Sequence, residues 1–411
     1  MTERPQILVV DAGPAPGEGC GTRKSGTATL KTKDKHHDGS FSRIKMMTQI
    51  FTCSSAEFVK HHGEAGARRY LKATKAGLEL QKGLAKELGG EILSEMGSYY
   101  VCPASQREEL KAEYDLLRSL GECCDDLEFV ENMDHVDGAS KDFPCGIYFP
   151  RDAVIDSSEY AKRLLKRSLA SGQGVALYNT RVVGVDDSPD VCTVTLHSGE
   201  SVYANHVVVA TGAMDPLPQL HGLIVPCYSY LAHVPVSPDK AIQQSANFFT
   251  WGGSAHDWCF DQGKVRVSGE DHFSAYKDPH MAERCGRMID WAWEKYGRPS
   301  STPVTELTHD RIPQQYGIYS ETPDHAPLVG TRRDESRVCF LVGCNASGQT
   351  ILSFAASLVP NLLGYRGGKL DESQRDALPN PLFNAKTFHP STERAIDERR
   401  ASTLHRELLE P

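Results

Sequence analysis

The sequence predicts an α/β protein that carries a second, α+β domain built on an antiparallel sheet. Three observations lead there. Residues 314–359 hold a turn-rich loop, a short apolar segment, a buried-type strand, a glycine-bearing loop and an apolar helix, in that order. Upstream, short runs such as Ile7-Leu-Val-Val10 and His206-Val-Val-Val-Ala-Thr-Gly212 read as buried strands among helical stretches. Between Leu217 and Pro313 the composition shifts to aromatic, strand-forming runs.

Length and composition narrow the classes. At 411 residues two domains are expected, and 39% hydrophobic with 24% charged residues is globular usage. A net charge of −9 with no basic face argues against a nucleic-acid partner. No apolar run approaches the roughly 18 residues a membrane helix needs, so no membrane association is expected. The twelve cysteines lack a CxxC pair and fit no zinc spacing, so they read as reduced thiols of an intracellular, cytoplasmic protein. The pairs His36-His37 and His61-His62 read as surface histidines, because adjacent side chains point apart, and no metal site is expected.

In chain order, Ile7–Val10 is a strand ending in the acid Asp11. Residues 27–45 are lysine-rich and read as a solvated loop. Ala56 to Leu88 is a helix with Ala67, Leu71, Leu78, Ala85 and Leu88 at helical spacing and Thr74 on the same face. Ser98-Tyr-Tyr-Val-Cys is a strand and Ser105 to Leu120 a helix. Gly146-Ile-Tyr-Phe-Pro150 and Asp152–Asp156 lead into a helix from Ser158 to Gly172, with serines at its start and glycine at its end. Val175 to Val185 reads as a kinked strand. Thr193 to Tyr203 is a hairpin turning on His-Ser-Gly-Glu. Tyr228–Pro235, Asn247–Trp251 and Lys264–Asp271 read as antiparallel strands, followed by a helix bearing Met281, Met288, Ile289, Trp291, Ala292 and Trp293. A polar region beyond Gly368 ends in a charged helix, Glu393 to Leu409, read as a surface tail.

The C-terminal unit is the most specific part. Glu321-Thr-Pro-Asp-His-Ala-Pro327 leads into Leu328-Val-Gly330, a charged turn, the strand Val338–Val342, the loop Gly343-Cys-Asn-Ala-Ser-Gly348 and a helix with Ile351, Phe354, Ala355, Leu358 and Val359. Strand, loop and helix N-terminus place backbone N–H groups and a helix dipole against an electron-rich ligand. The Thr-Pro-Asp-x-x-Pro-Leu-Val-Gly run followed by strand, glycine loop and helix resembles the C-terminal segment of the D-amino-acid oxidase/glycine oxidase (DAO) family of FAD-dependent oxidoreductases. The resemblance covers roughly residues 5–390. It implies a Rossmann-like FAD-binding domain and a substrate domain, with Gly343, Ser347, Gly348, Gln349 and Thr350 at the cofactor.

Two readings of the N-terminus compete. As a first strand and phosphate turn, residues 7–26 have the wrong glycine spacing for Gly-x-Gly-x-x-Gly and two prolines in the turn. That version would make the protein an NAD(P)-dependent dehydrogenase. The resemblance implies instead the family's second strand, with Asp11 on the adenosine ribose and Gly21, Thr22, Arg23, Ser25 and Gly26 along the cofactor. The family's first strand, glycine turn and helix are then absent, and about 30 residues are expected ahead of Ile7. Either the sequence is truncated or the protein is a divergent member with weak or no FAD binding. The resemblance further implies Val182 at adenine and Thr211 and Gly212 near the dinucleotide.

The expected domains are 1–50, 146–216 and 325–370 for FAD, 51–145 and 217–324 for substrate, and 371–411 as tail. The implied activity is oxidation of a C–N bond of a small amine or amino acid, by hydride transfer to flavin. Amino-acid-specific relatives place an arginine three residues before the Thr of Thr-Pro-Asp, where this sequence has Tyr319. Some tether FAD through a cysteine at the position of Gly317, so FAD is expected to bind non-covalently. Tyr316, Tyr319 and His256 are the substrate-side candidates. The alternative is a non-catalytic, flavin-free paralogue that keeps the fold as a binding or structural protein.

Overall fold

The computed structural model describes residues 7–12, 45–47, 51, 53–170, 172, 174–212, 224–251, 256–273, 281–300, 308–331 and 336–364. Its largest unit is an eight-stranded mixed sheet. In spatial order the strands are β17 (Gln314–Glu321), β13 (Val225–Pro235), β16 (Lys264–Phe273), β15 (His256–Asp261), β14 (Asn247–Thr250), β4 (Ser98–Cys102), β6 (Cys145–Phe149) and β5 (Glu128–Val130). The expected boundary at residue 146 thus falls inside β6, which pairs antiparallel with β4.

Parallel pairing appears elsewhere. β1 (Ile7–Val10) lies parallel to β8 (Gly174–Leu177), and β12 (Val207–Val209) lies parallel to β19 (Val338–Val342), whose other edge takes β18 (Leu328–Thr331) antiparallel. The kinked strand expected over 175–185 is two strands: after β8 the chain breaks at Asn179 (φ 52°) and enters β9 (Val182–Asp187). That strand forms an antiparallel sheet with β10 (Cys192–Leu196) and β11 (Ser201–Ala204), the expected hairpin. A last small sheet joins β2 (Lys45–Met47), β7 (Ala153–Ile155) and β3 (Leu93–Ser94). The architecture is α/β with mixed and antiparallel sheets.

Five α-helices pack on these sheets among the described residues: α1 (Ser55–Glu87), α2 (Arg107–Ser119), α3 (Ser157–Leu169), α4 (Met281–Tyr296) and α5 (Gly348–Leu362). α1 starts at the N-cap Ser54, whose hydroxyl accepts from Glu57 N, and it is interrupted by non-helical Gly63 (φ 66°). The buried carboxylate of Glu113 on α2 ties this start down, accepting from Ser55 N at 2.9 and 3.0 Å and from the Ser55 hydroxyl at 2.5 Å.

Register decides what each face of the large sheet touches. Alternation puts Tyr228, Tyr230, Val265, Val267, Trp258, Phe260, Phe248 and Ile318 on one face, where they form one apolar core with Met288, Ile289, Ala292 and Trp293 of α4. The other face, at its β4–β6 end, meets α1, α2 and α5 in a second core that includes Phe58, Tyr70, Leu71, Ile147, Ile351 and Phe354. No disulfide joins any two of the eleven described cysteines. No helix among the described residues is long and apolar enough to cross a membrane.

Candidate active site

The loop between β19 and α5 is fixed by one buried side chain. Asn345 is fully buried at φ 44°, and its Oδ1 accepts from Thr322 N at 2.7 Å and from the Thr322 hydroxyl at 3.1 Å. Its Nδ2 donates to Gly343 O at 2.8 Å. Ser320 Oγ accepts from Gly343 N and Cys344 N, both at 3.1 Å, and Asn345 N donates to Ser320 O at 2.8 Å. The loop therefore docks on the outer edge of β17, one residue from Tyr319. Gly343 (φ 75°) is required twice, since a Cβ there would also meet Thr322 Cγ2 at 2.6 Å.

The helix that follows begins without compensation. Ser347 makes no side-chain cap, and no acidic residue lies in the first turn of α5. Such a helix start favours anionic or electron-rich groups. Its position is set by α1: at Gly77 an added Cβ would lie 1.9 Å from Thr350 O, so only glycine permits this approach. Gln81 Nε2 donates to Gln349 Oε1 at 2.9 Å, and Thr350 is fully buried.

At the strand ends, Asp11 closes β1, with its N–H donating to Leu177 O and its carbonyl accepting from Thr180 N, both at 2.9 Å. This brings Asp11 next to the segment that enters β9 at Val182. Thr211 and Gly212 (φ 65°) leave β12 beside the carboxyl end of β19, where Gly343 follows. A Cβ at Gly212 would face open space. Gly21, Thr22, Arg23, Ser25 and Gly26 lie outside the described residues.

The three substrate-side candidates do not converge. Tyr316 pairs in register with Tyr230, and Tyr230 and His256 both pair with Gly269, so these side chains share the face beneath α4. There Tyr316 stacks on Tyr228 at 5.7 Å, and His256 lies 5.4 Å from Trp291 and 3.3 Å from Glu270 Oε1. Burial, the largest cause, lowers the His256 pKa. Tyr319 is an odd number of residues from Tyr316 and faces the other way, next to Cys227. Its hydroxyl donates to Asp271 Oδ2 at 3.0 Å and approaches Glu321 Oε1 at 3.5 Å. Burial first, then the neighbouring Asp271, Cys227 and Glu321, raise its pKa well above that of a free phenol, so it stays a neutral donor.

Farther along the Tyr319 face the register sets Ser229, His233, Arg266 and Ser268, all buried polar side chains. Burial, with Arg266 and Lys264 adding to it, lowers the His233 pKa to about 3. His62, expected at the surface, is only 7% exposed and bonds Asp324 O at 2.8 Å, because the break at Gly63 turns the start of α1 against the Thr322–Ala326 turn. His36-His37 lies outside the described residues. The sequence reading missed Asn345, Ser320 and Gly77. Gly77, a glycine inside a strongly periodic helix, was the one with a signal.

A strand-edge acid, parallel strand ends meeting a glycine loop and an uncapped helix N-terminus are features that α/β proteins binding nucleotide cofactors share. The chain belongs to the FAD dependent oxidoreductase (DAO) family, whose sequence model matches residues 2–361. It resembles in fold the glycine oxidase of Geobacillus kaustophilus, at 16% identity and TM-score 0.61 over 88% of this chain and 95% of that one. L-proline dehydrogenase of P. horikoshii aligns at 13% identity and TM-score 0.61 over 94% and 100%. Amadoriase I, a fructosyl amine:oxygen oxidoreductase of Aspergillus fumigatus, aligns at 12% identity and TM-score 0.60 over 94% of each chain. No curated protein sequence matches the chain.

Proposed function

We propose that this FAD-dependent oxidoreductase oxidises a C–N bond of a small amine or amino acid, with FAD held non-covalently. The observation that carries the reading is the Gly343–Thr350 segment. Its uncapped helix start and its loop docked on β17 support a cofactor site here, next to Tyr319. Asp11 would hold the ribose hydroxyls. Val182, Thr211 and Gly212 would line the dinucleotide, with Gly21, Thr22, Arg23, Ser25 and Gly26 continuing that lining. Residues 1–50, the segment from the end of β6 to 216, and 325–370 would form the cofactor domain, with the eight-stranded sheet as the substrate domain. FAD supplies the chemistry by accepting a hydride from the carbon beside the amine.

The protein's own part is orientation and exclusion of water. Tyr319 presents a neutral hydroxyl held by Asp271, with Glu321 beside it. A phenol between two carboxylates complements the ammonium end of a substrate rather than a carboxylate, for which a forked guanidinium would suit. Amines without an α-carboxylate are therefore the preferred class. The test is an anaerobic titration of the FAD-loaded protein with primary and secondary amines and with amino acids, following flavin bleaching. Bleaching by amines ahead of amino acids supports the reading, and a flavin that no amine or amino acid reduces would overturn it.

A further inference from the structure

We propose that Cys53, Glu57 and His325 form a site for a divalent cation of the zinc class, apart from the flavin chemistry. Their ligand atoms all lie within 4.8 Å of one another. They come from two elements far apart in sequence, which the fold brings together where α1 begins.

His325 is the fixed member. It is 4% exposed and held at φ 60°, a left-handed conformation that few residues other than glycine adopt. The turn around it is locked: His325 N donates to Thr322 O at 3.1 Å, the Thr322 hydroxyl, its one proton shared with Asn345 Oδ1, reaches Ala326 O at 2.8 Å, and Ala326 N donates to Asp324 Oδ1 at 3.3 Å. His62 braces the turn from behind through Asp324 O. Glu57 stands in the first turn of α1, its N–H held by the Ser54 hydroxyl at 3.2 Å, and its Oε1 lies 3.3 Å from His325 Nε2. Cys53 precedes that N-cap and is half-buried.

Chemistry selects the ion. Imidazole and thiolate disfavour magnesium and calcium, which take oxygen, and suit zinc-type cations. Bonds of about 2.0–2.3 Å in a tetrahedral site put neighbouring ligand atoms roughly 3.3–3.8 Å apart. The His325–Glu57 separation already meets that spacing. Cys53 Sγ, within 4.8 Å of the other two ligand atoms, supplies the third ligand. Glu57 is 44% exposed, which gives an ion an entry path and leaves the fourth position to water. A bound cation would clamp the start of α1 to the Thr322–Ala326 turn, whose Thr322 bonds Asn345 of the β19–α5 loop.

The test uses the 411-residue protein, freed of metal by a chelator and then titrated with Co²⁺ and Zn²⁺. One Co²⁺ per chain is expected, with a sulfur-to-cobalt charge-transfer band in the near ultraviolet that Zn²⁺ displaces. Cys53→Ser should abolish the band. Glu57→Gln, at a half-exposed side chain, and His325→Asn, a residue that tolerates the left-handed backbone, should each weaken Zn²⁺ binding on the order of 100-fold. Absence of the band in the parent protein, its persistence in Cys53→Ser, or unchanged Zn²⁺ affinity in Glu57→Gln would overturn the site. These readouts need neither flavin nor turnover, so failure here is distinct from failure of the oxidase proposal.

Discussion

Replacing Asn345 by alanine removes the side chain on which the β19–α5 loop rests. Three hydrogen bonds go with it: two accepted from Thr322 at 2.7 and 3.1 Å, and one donated to Gly343 O at 2.8 Å. Asn345 is fully buried. The Thr322 N–H and the Gly343 carbonyl would therefore each lose a partner where water does not reach, at about 1–3 kcal/mol apiece. Alanine must also hold φ 44°, where asparagine is more at ease, adding roughly 1 kcal/mol. The sum is about 3–7 kcal/mol. For a chain of 411 residues the unfolding entropy is roughly 0.9 kcal/mol per kelvin, so the melting midpoint should fall by about 3–8 °C. Thr322→Val alone should cost about 1 kcal/mol, and the double variant should lose less than the two combined, because both remove the same contact. FAD affinity should fall in step with Asn345→Ala. A midpoint lowered by under about 1 °C, or strictly additive losses, would refute the role given to Asn345.

Further outcomes follow from other positions. Gly77→Ala should destabilise by about 2–3 kcal/mol or more, since its Cβ would sit 1.9 Å from Thr350 O, whereas Gly83→Ala on the same helix meets nothing within 4 Å and should gain about 0.5–1 kcal/mol; chemical denaturation of the two compares them. His233 is neutral when folded, with a pKa lowered from 6.5 to about 3. The unfolded chain takes up that proton first, so stability should be complete above pH 6.5 and decline as pH falls toward 3, by up to about 4–5 kcal/mol. A pH series of urea midpoints should be visibly flatter for His233→Gln, and equal slopes would contradict the assignment. Tyr319→Phe should leave the melting midpoint in place, since Asp271 is exposed, while kcat/KM for amines falls on the order of 10-fold; Tyr319→Arg should shift preference toward amino acids.

Much of the fold was legible because periodicity reports burial. α1 and α5 bury the predicted positions Ala67, Leu71, Leu78, Ile351, Phe354 and Leu358. The hairpin of β10 and β11 turns where His-Ser-Gly-Glu stands. Side-chain direction across strands was legible only once register was known. Tyr316 and Tyr319 both read as substrate-side aromatics, yet alternation turns Tyr316 under α4. His256 went the same way, since its strand neighbours Trp258 and Phe260 serve the core on that face. Asn345 was hidden because its role depends on Thr322, which local patterns do not connect to it. His62 was hidden by the break at Gly63, a tertiary effect that helical spacing does not encode.

The central claim is that this chain holds FAD, and a visible spectrum tests it most directly. The purified 411-residue protein is measured before and after incubation with free FAD, followed by desalting. A flavin band that stays with the protein, is released by denaturation and is weaker in Asn345→Ala is the predicted result. A protein that remains colourless after incubation would contradict the account and favour a flavin-free relative that keeps only the fold.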